Sequence, residues 1–235
     1  MKKKKIFIIV ALISIAIIYA GYYALSTNGA ETKKTNEEVL VKKNAPKIDG
    51  KKALIAYFSV PETTDINKQM TQEEENSTIV VNNEVKGNTQ YVAEFLERET
   101  GGSIYRIEPK IPYTTNHSDL VAKATEEQNN NARPEILNTI SNFDDYDTIF
   151  IGYPIWWGDV PQIMYNFLES YDFNGKTVIP FSTHGGSGLA GTVESINSSL
   201  SGATVINNAL SISRNDMESV PRRVDSWLTE LNLIK

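Results

Sequence analysis

Short apolar runs alternate with helical patterns along most of this chain. The apolar runs are continuous and bounded by polar or glycine-containing turns, which is typical of strands buried on both faces, and they lie at residues 53–58, 103–107, 147–152, 176–182 and 204–212. Apolar residues at helical spacing follow each run, and the predicted helices cover residues 87–99, 118–128, 161–169, 189–200 and 217–231. Five such alternations predict an α/β domain with a parallel sheet covered by helices on both faces.

The segment between the first strand and the first helix is longer and more polar than the other connections. Residues 59–86 are rich in Glu, Asn and Thr, and we expect an irregular insertion. A short apolar stretch at residues 78–81 is the one part of it that predicts a strand.

The chain begins with a segment that we exclude from the fold. Lys2 to Lys5 form a basic cluster, and residues 6–25 are free of charge and mostly apolar. A run of about twenty apolar residues is long enough to span a bilayer, and the lysines would then stay in the cytoplasm. Residues 1–25 therefore predict a membrane anchor, or alternatively a signal peptide cleaved near Ser26. Residues 26–50 predict a flexible tether, which leaves residues 51–235 as the exported domain.

Composition narrows the chemistry of that domain. The chain has no cysteine, which excludes disulfides, thiolate catalysis and iron–sulfur clusters. Beyond the four anchor lysines, 19 basic residues face 29 acidic ones, a formal charge of −10. Nucleic acid is not an expected partner of such a surface.

Two adjacent tryptophans occupy a loop after the third predicted strand. Trp156 and Trp157 are followed by Gly158, which permits close approach of a ligand to the backbone. Ligands of open α/β sheets bind beyond the carboxyl ends of the strands, so a flat aromatic ligand is the simplest use for these rings. The alternative is that one or both tryptophans pack back on the core.

Two further loops open on the same edge of the sheet. Gly87, Asn88 and Thr89 start a helix, where free backbone N–H groups can bind an anion; a plain helix cap is the alternative. Residues 182–188 (STHGGSG) form a polar, glycine-rich loop after the fourth strand. His184 in this loop could contact a ligand or change charge during turnover.

Taken together, these loops resemble those of flavodoxin-like proteins. The resemblance covers residues 51–235 and rests on four motifs in order, YFS at 57–59, GNTQYVAEFL at 87–96, GYPIWWGDVP at 152–161 and IPFSTHGGSG at 179–188. It implies a doubly wound five-stranded parallel sheet with strand order 2-1-3-4-5 and an FMN cofactor at the strand ends. The uninterrupted fifth run indicates a short-chain member. One departure is the insertion, which separates Ser59 from Gly87 and would protrude near the flavin.

The same resemblance implies roles for individual residues. The FMN phosphate would be held by the side chains and backbone of Ser59, Gly87, Asn88, Thr89 and Gln90. The flavin ring would be lined by Pro154, Ile155, Trp156, Trp157 and Gly158, with one tryptophan stacked on it. The pyrimidine edge or ribityl chain would meet Thr183, His184, Gly185, Gly186 and Ser187.

The expected function is electron transfer at the outer side of a membrane. A tethered flavoprotein would carry electrons between a membrane donor and an exported redox protein, since a tether raises local concentration. An FMN-dependent NAD(P)H or quinone reductase is the alternative on the same fold. A flavin-free module that binds a sugar or peptide through the tryptophan pair is a third possibility.

Overall fold

The structure, a computed structural model, describes residues 52–234. Eight strands are present in this part of the chain: β1 (Ala53–Tyr57), β2 (Thr78–Val81), β3 (Glu84–Gly87), β4 (Ser103–Arg106), β5 (Thr148–Pro154), β6 (Thr177–His184), β7 (Thr204–Val205) and β8 (Leu210–Ser213). It also contains six α-helices: α1 (Gln72–Ser77), α2 (Asn88–Thr100), α3 (His117–Asn129), α4 (Gln162–Ser170), α5 (Thr192–Ser199) and α6 (Val220–Glu230). Short 3₁₀ helices cover Phe143–Asp145 and Arg214–Ser219.

The predicted anchor and tether, residues 1–25 and 26–50, lie outside the described residues. Within residues 52–234, none of the helices is both long and apolar enough to cross a bilayer.

The main sheet is parallel and has the predicted strand order. Its strands run β4-β1-β5-β6-β7, with β8 also pairing with β6, and in order of the five predicted strands this is 2-1-3-4-5. The α/β prediction and its topology are therefore confirmed.

The last predicted strand is not continuous. It divides into β7 and β8, which pair in parallel with successive parts of β6. Between them the chain leaves the sheet at Asn207 and Asn208, residues that favour turns. The indole N–H of Trp227 donates to the carbonyl oxygen of Asn208 at 2.7 Å. This hydrogen bond stabilises the segment between β7 and β8. The prediction of one uninterrupted strand over residues 204–212 is wrong.

Two predicted helices are shorter than the sequence pattern indicates. Helix α5 begins at Thr192 because Ala190 and Gly191 adopt left-handed conformations, with φ of 50° and 80°. The predicted helix over residues 217–231 begins as the 3₁₀ turn Arg214–Ser219 and becomes α-helical at Val220.

The apolar core lies on both faces of the sheet. On one face α2 and α6 pack with their apolar sides on the strands, through residues that include Val92, Leu96, Val224 and Trp227. On the other face α4 and α5 contribute residues such as Ile163, Phe167 and Ile196. Gly152 in β5 is required by this packing, because a Cβ there would lie 2.1 Å from the ring of Phe181.

Strands β5 and β6 extend further toward the site than expected. Pro154 pairs with Thr183, and Thr183 and His184 pair with Ile212 and Ser213 of β8. Pro154, Thr183 and His184 were placed in loops by the sequence analysis, and these placements are corrected. The pairing holds the candidate ligand-binding residues on strand ends, which position side chains more rigidly than loops do.

Residues 72–86 of the insertion form a helix and two strands, whereas residues 60–71 are irregular, as expected. Helix α1 begins with a capping box between Thr71 and Glu74, and β2 and β3 form an antiparallel hairpin. Asn82 and Asn83 make its turn with φ of 51° and 64°, as a two-residue hairpin requires. The predicted strand at Thr78–Val81 is confirmed, whereas α1 and β3 were not predicted.

Candidate ligand-binding cleft

A cleft of about 260 Å³ opens at the carboxyl ends of β1, β5 and β6. Ten residues predicted as ligand contacts line it: Ser59, Asn88, Thr89, Pro154, Ile155, Trp156, Trp157, Thr183, His184 and Gly185. The other five predicted residues do not line the cleft but lie within two positions of residues that do: Gly87, Gln90, Gly158, Gly186 and Ser187. The three loops of the sequence analysis thus meet at one place.

The two halves of the predicted phosphate loop come together despite the insertion. Ser59 follows β1, and Gly87 ends β3 just before α2. A Cβ on Gly87 would lie 2.2 Å from Oγ of Ser59 and 3.3 Å from its Cβ. Only glycine permits this approach, so the inserted helix and hairpin return the chain to the position that a compact loop would occupy.

The first turn of α2 offers unpaired polar groups to the cleft. Gly87, the residue at the N-cap, gives no side-chain cap, so the first amides of the helix are available to an anion. Asn88 is 6% exposed, and its Nδ2 donates to the carbonyl oxygen of Asn76 at 2.9 Å. Its Oδ1 is buried without a partner, which is costly unless a ligand supplies a donor such as a hydroxyl group.

Thr89 joins α2 to the end of β6. Its Oγ1 lies 2.8 Å from Oγ1 of Thr183, and both side chains are buried. A hydroxyl can donate one hydrogen bond and accept others, so either threonine can also bond a ligand while the pair is intact.

The tryptophans sit on a tight two-residue turn. Trp156 and Asp159 exchange both backbone hydrogen bonds at 3.0 Å, and Trp157 and Gly158 between them have φ of 51° and 76°. This is the left-handed geometry of a hairpin turn, unusual for tryptophan. The turn carries Trp157 outward, where its side chain is 60% exposed.

The two tryptophan rings have different surroundings. Trp156 meets Phe58 and Tyr113 edge to face, with centroid distances of 5.4 and 5.5 Å, so it is partly a core residue. Trp157 is a large exposed apolar side chain at the cleft. Trp156 therefore packs on the core, as the alternative interpretation held, whereas Trp157 leaves its ring exposed at the cleft.

The carboxylate of Asp159 stabilises this turn through hydrogen bonds. Its Oδ1 accepts from the amide of Val160 at 2.7 Å, and its two oxygens lie 3.0 and 3.1 Å from Oη of Tyr165. Arg133 lies over the ring of Tyr165, 4.9 Å from its centroid. Burial, and then the Asp159 carboxylate, raise the pKa of Tyr165, so its hydroxyl keeps the proton that it donates.

We expect Tyr165→Phe to loosen the turn. The variant removes a hydrogen bond to a charged, partly exposed group, and we expect the free energy of unfolding to fall by about 1 kcal/mol. Urea denaturation measures this. Asp159→Asn, which keeps an acceptor for the tyrosine, should lose less. Equal stability of Tyr165→Phe and the wild type would show that the contact contributes nothing.

His184 lies at the opposite wall in surroundings that favour its neutral form. Its Nδ1 accepts from the amide of Gly186 at 3.0 Å. Burial lowers its pKa, and the positive charge of Arg223 acts in the same direction. Arg214 lies beside Gly185, where a Cβ would come within 3.1 Å of the guanidinium. The glycine thus allows an arginine to line the cleft next to the histidine.

Sequence reasoning missed a whole wall of the cleft. This wall consists of Glu62, Glu73, Asn76 and Ser77 from the insertion, and His117, Leu120, Val121 and Ala124 from α3. The insertion was predicted only as an irregular polar segment, and the helix at residues 118–128 was predicted without a role in binding. His117 begins α3, and it also bonds Glu62, 55 positions away. The apolar spacing of Leu120, Val121 and Ala124 was the one signal available.

The fold and the cleft define an open α/β domain of the flavodoxin type, with its ligand site where strand order reverses. A family model described as flavodoxin matches residues 77–227, which is more than half of the chain. The protein therefore belongs to this flavodoxin family. No curated protein matches the chain.

Solved structures resemble this domain over nearly their whole length. A protein assigned as a flavoprotein from Bacteroides eggerthii is 29% identical, with a TM-score of 0.56 over 77% of this chain and 98% of its own. One from Bacteroides uniformis is 27% identical, with a TM-score of 0.55 over 75% and 99%. A flavoprotein from Lactobacillus acidophilus in complex with FMN is 23% identical, with a TM-score of 0.50 over 75% and 98%.

Proposed function

We propose that this flavodoxin binds FMN in the cleft and transfers electrons through it. The observation that carries the proposal is the pairing, within one cleft, of an anion-binding helix start at α2 with an exposed aromatic ring on the Trp157 turn. FMN has a phosphate at one end and a flat ring system at the other. Membership of the flavodoxin family and the FMN complex of the Lactobacillus flavoprotein support the assignment.

The polar groups at the phosphate end of the cleft suit the phosphate and ribityl groups of FMN. The first amides of α2 and the hydroxyl groups of Ser59 and Thr89 would hold the phosphate. The buried, unpaired Oδ1 of Asn88 is an acceptor and is suited to a ribityl hydroxyl rather than to phosphate oxygens. The site therefore offers donors to the anion and an acceptor to the sugar-like chain.

The ring end would hold the flavin against Trp157, beside Pro154 and Ile155. When bound, FMN supplies the redox chemistry, and the protein sets access and potential. The apolar walls at this end disfavour additional negative charge on the ring. We therefore expect a midpoint potential below that of free FMN.

We also propose that this activity lies outside the cytoplasm. Residues 6–25 carry no charge and follow four lysines, which supports a single-pass anchor with the domain on the outer side. The partners would be a membrane donor, such as a quinone, and an exported redox protein. Protease treatment of intact cells should digest the domain if it lies outside; complete protection would contradict this location.

Thr89 provides a test of the phosphate site. Thr89→Val keeps the shape of the side chain but removes its hydroxyl, and we expect FMN to bind about tenfold more weakly while riboflavin changes little. Thr183→Val is the matched control, because it breaks the same 2.8 Å hydrogen bond from the other side. If the two variants weaken FMN and riboflavin alike, Thr89 acts only by joining α2 to β6.

Steady-state kinetics separate the carrier from a reductase. We expect the FMN-loaded protein to oxidise NADH and NADPH far more slowly than the 1–10³ s⁻¹ that is roughly typical of enzymes. Turnover within that range, with a quinone as acceptor, would identify a reductase instead.

A further inference from the structure

Glu62 of the insertion contacts His117 of α3, and the two residues form a histidine–glutamate pair at the wall of the cleft. Nδ1 of His117 lies 3.0 and 3.1 Å from the two carboxylate oxygens of Glu62. The Glu62 side chain is only 8% exposed, whereas that of His117 is 52% exposed. The pair therefore consists of a buried carboxylate that fixes an accessible imidazole.

This pair belongs to the same hydrogen-bonded group as the start of α2. The amide of Glu62 donates to Oγ of Ser77 at 3.0 Å, and the neighbouring Asn76 accepts from Asn88. Helix α1 thus joins His117 and Glu62 on one side to Asn88 on the other. All of these residues line the cleft, so the imidazole borders the same cavity as the start of α2.

The charges at this end are unfavourable for an anion unless the histidine is charged. Among the described residues that line the cleft, Glu62 and Glu73 are the carboxylates, and both interact with His117. On its own helix Asp119 lies in the first turn. Arg214 and His184 lie near Gly185, at the other wall. Arg106 donates to the carbonyl oxygen of Ser59 at 3.2 Å but does not line the cleft.

The two ring nitrogens of His117 have different surroundings. His117 is the first residue of α3. The Glu62 carboxylate accepts the hydrogen on Nδ1. The second nitrogen, Nε2, can donate to a ligand only when the ring is a doubly protonated imidazolium.

We propose that His117, oriented by Glu62, is a cationic contact for the phosphate group of the bound ligand, which therefore binds together with a proton. The inference rests on the proposed binding of FMN. It adds a binding residue from α3, and it gives the insertion a role, since the insertion supplies the carboxylate that orients the imidazole.

The proposed contact determines whether FMN affinity rises or falls with pH. An anion that binds the protonated ring stabilises that form, so FMN affinity falls as pH rises and the free imidazole loses its proton. Between pH 6.5 and 8.5 we expect the preference for FMN over riboflavin to fall by roughly tenfold, which lies within the limit of tenfold per pH unit that one linked proton sets. Riboflavin, which has no phosphate, should show little dependence.

The chain is well suited to a direct measurement, because it contains two histidines, His117 and His184. An NMR titration of the imidazole signals of the full chain in detergent follows both, and a His117→Gln spectrum assigns them. We expect saturating FMN to move the titration of His117 to higher pH and riboflavin to leave it in place. His184, which lines the opposite wall, should respond equally to the two flavins, because they differ only at the phosphate.

Variants separate this role from a structural one. His117→Gln retains a donor to Glu62 but no charge, and it should lose most of the pH dependence of FMN binding while riboflavin affinity is kept. His184→Gln, the matched control, should retain the dependence. If FMN binds but does not move the His117 titration, the histidine proposal is overturned while the FMN proposal stands. If FMN does not bind the wild type, both are overturned.

Discussion

Gly87→Ala should abolish most FMN binding by pushing apart the two halves of the phosphate site. The new methyl group would lie 2.2 Å from Oγ of Ser59 and 3.4 Å from Cδ of Pro61, so the start of α2 or the residues after β1 must move. We expect FMN affinity to fall by about 100-fold, which corresponds to roughly 2.7 kcal/mol. Overpacking of this kind costs about 1–3 kcal/mol of folding free energy as well. Fluorescence titration with FMN and urea denaturation measure the two effects.

A double variant separates the steric effect from the chemistry. Ser59→Ala removes the nearest atom, so Ser59→Ala with Gly87→Ala should recover most of the stability lost in the single variant. FMN binding should not recover with it, because the hydroxyl is also gone. Wild-type FMN affinity in Gly87→Ala would contradict the assignment of the phosphate to this corner of the cleft.

Trp157→Ala should weaken flavin binding without weakening the fold. The Trp157 side chain is 60% exposed, so we expect the free energy of unfolding to change by less than about 0.5 kcal/mol. Stacking of an aromatic side chain on a heterocycle contributes about 1–3 kcal/mol, and FMN and riboflavin should therefore both bind about 10- to 100-fold more weakly. Equal losses for both ligands distinguish this ring contact from a phosphate contact.

Trp156→Ala is the comparison. That ring packs edge to face with Phe58 and Tyr113, so its loss should destabilise the protein by about 2 kcal/mol. Trp157→Phe, which keeps a ring at the same turn, should retain most of the flavin affinity. If Trp157→Ala binds both flavins as tightly as the wild type, the flavin does not stack on Trp157.

The fold could be predicted from sequence because its strands are continuous apolar runs. Residues Ile149–Ile151 are fully buried, as expected of a continuous apolar run in a sheet covered on both faces. The differences from the predicted fold have specific structural causes. Asn207 and Asn208 interrupt the last strand at a point where the apolar pattern continues around them, and the fixing contact comes from Trp227 in a distant helix.

The candidate site was predictable only where short motifs mark it. Gly87, Asn88 and the tryptophan pair are motifs with a local mechanism, and most residues predicted from them line the cleft. Contacts between distant segments gave no such signal. Glu62 and His117 are 55 positions apart, and Thr89 and Thr183 are 94 apart, so their pairing depends on the tertiary fold.

All of the proposed chemistry depends on the binding of FMN in the cleft. The most direct measurement is the absorption spectrum of the full chain in mild detergent after addition of FMN and removal of the excess, followed by reduction at controlled potentials. We predict one retained FMN per chain with a midpoint potential below that of free FMN, and loss of most of this flavin in Trp157→Ala. A protein that retains no flavin bands would contradict the account, and the cleft would then require a different ligand.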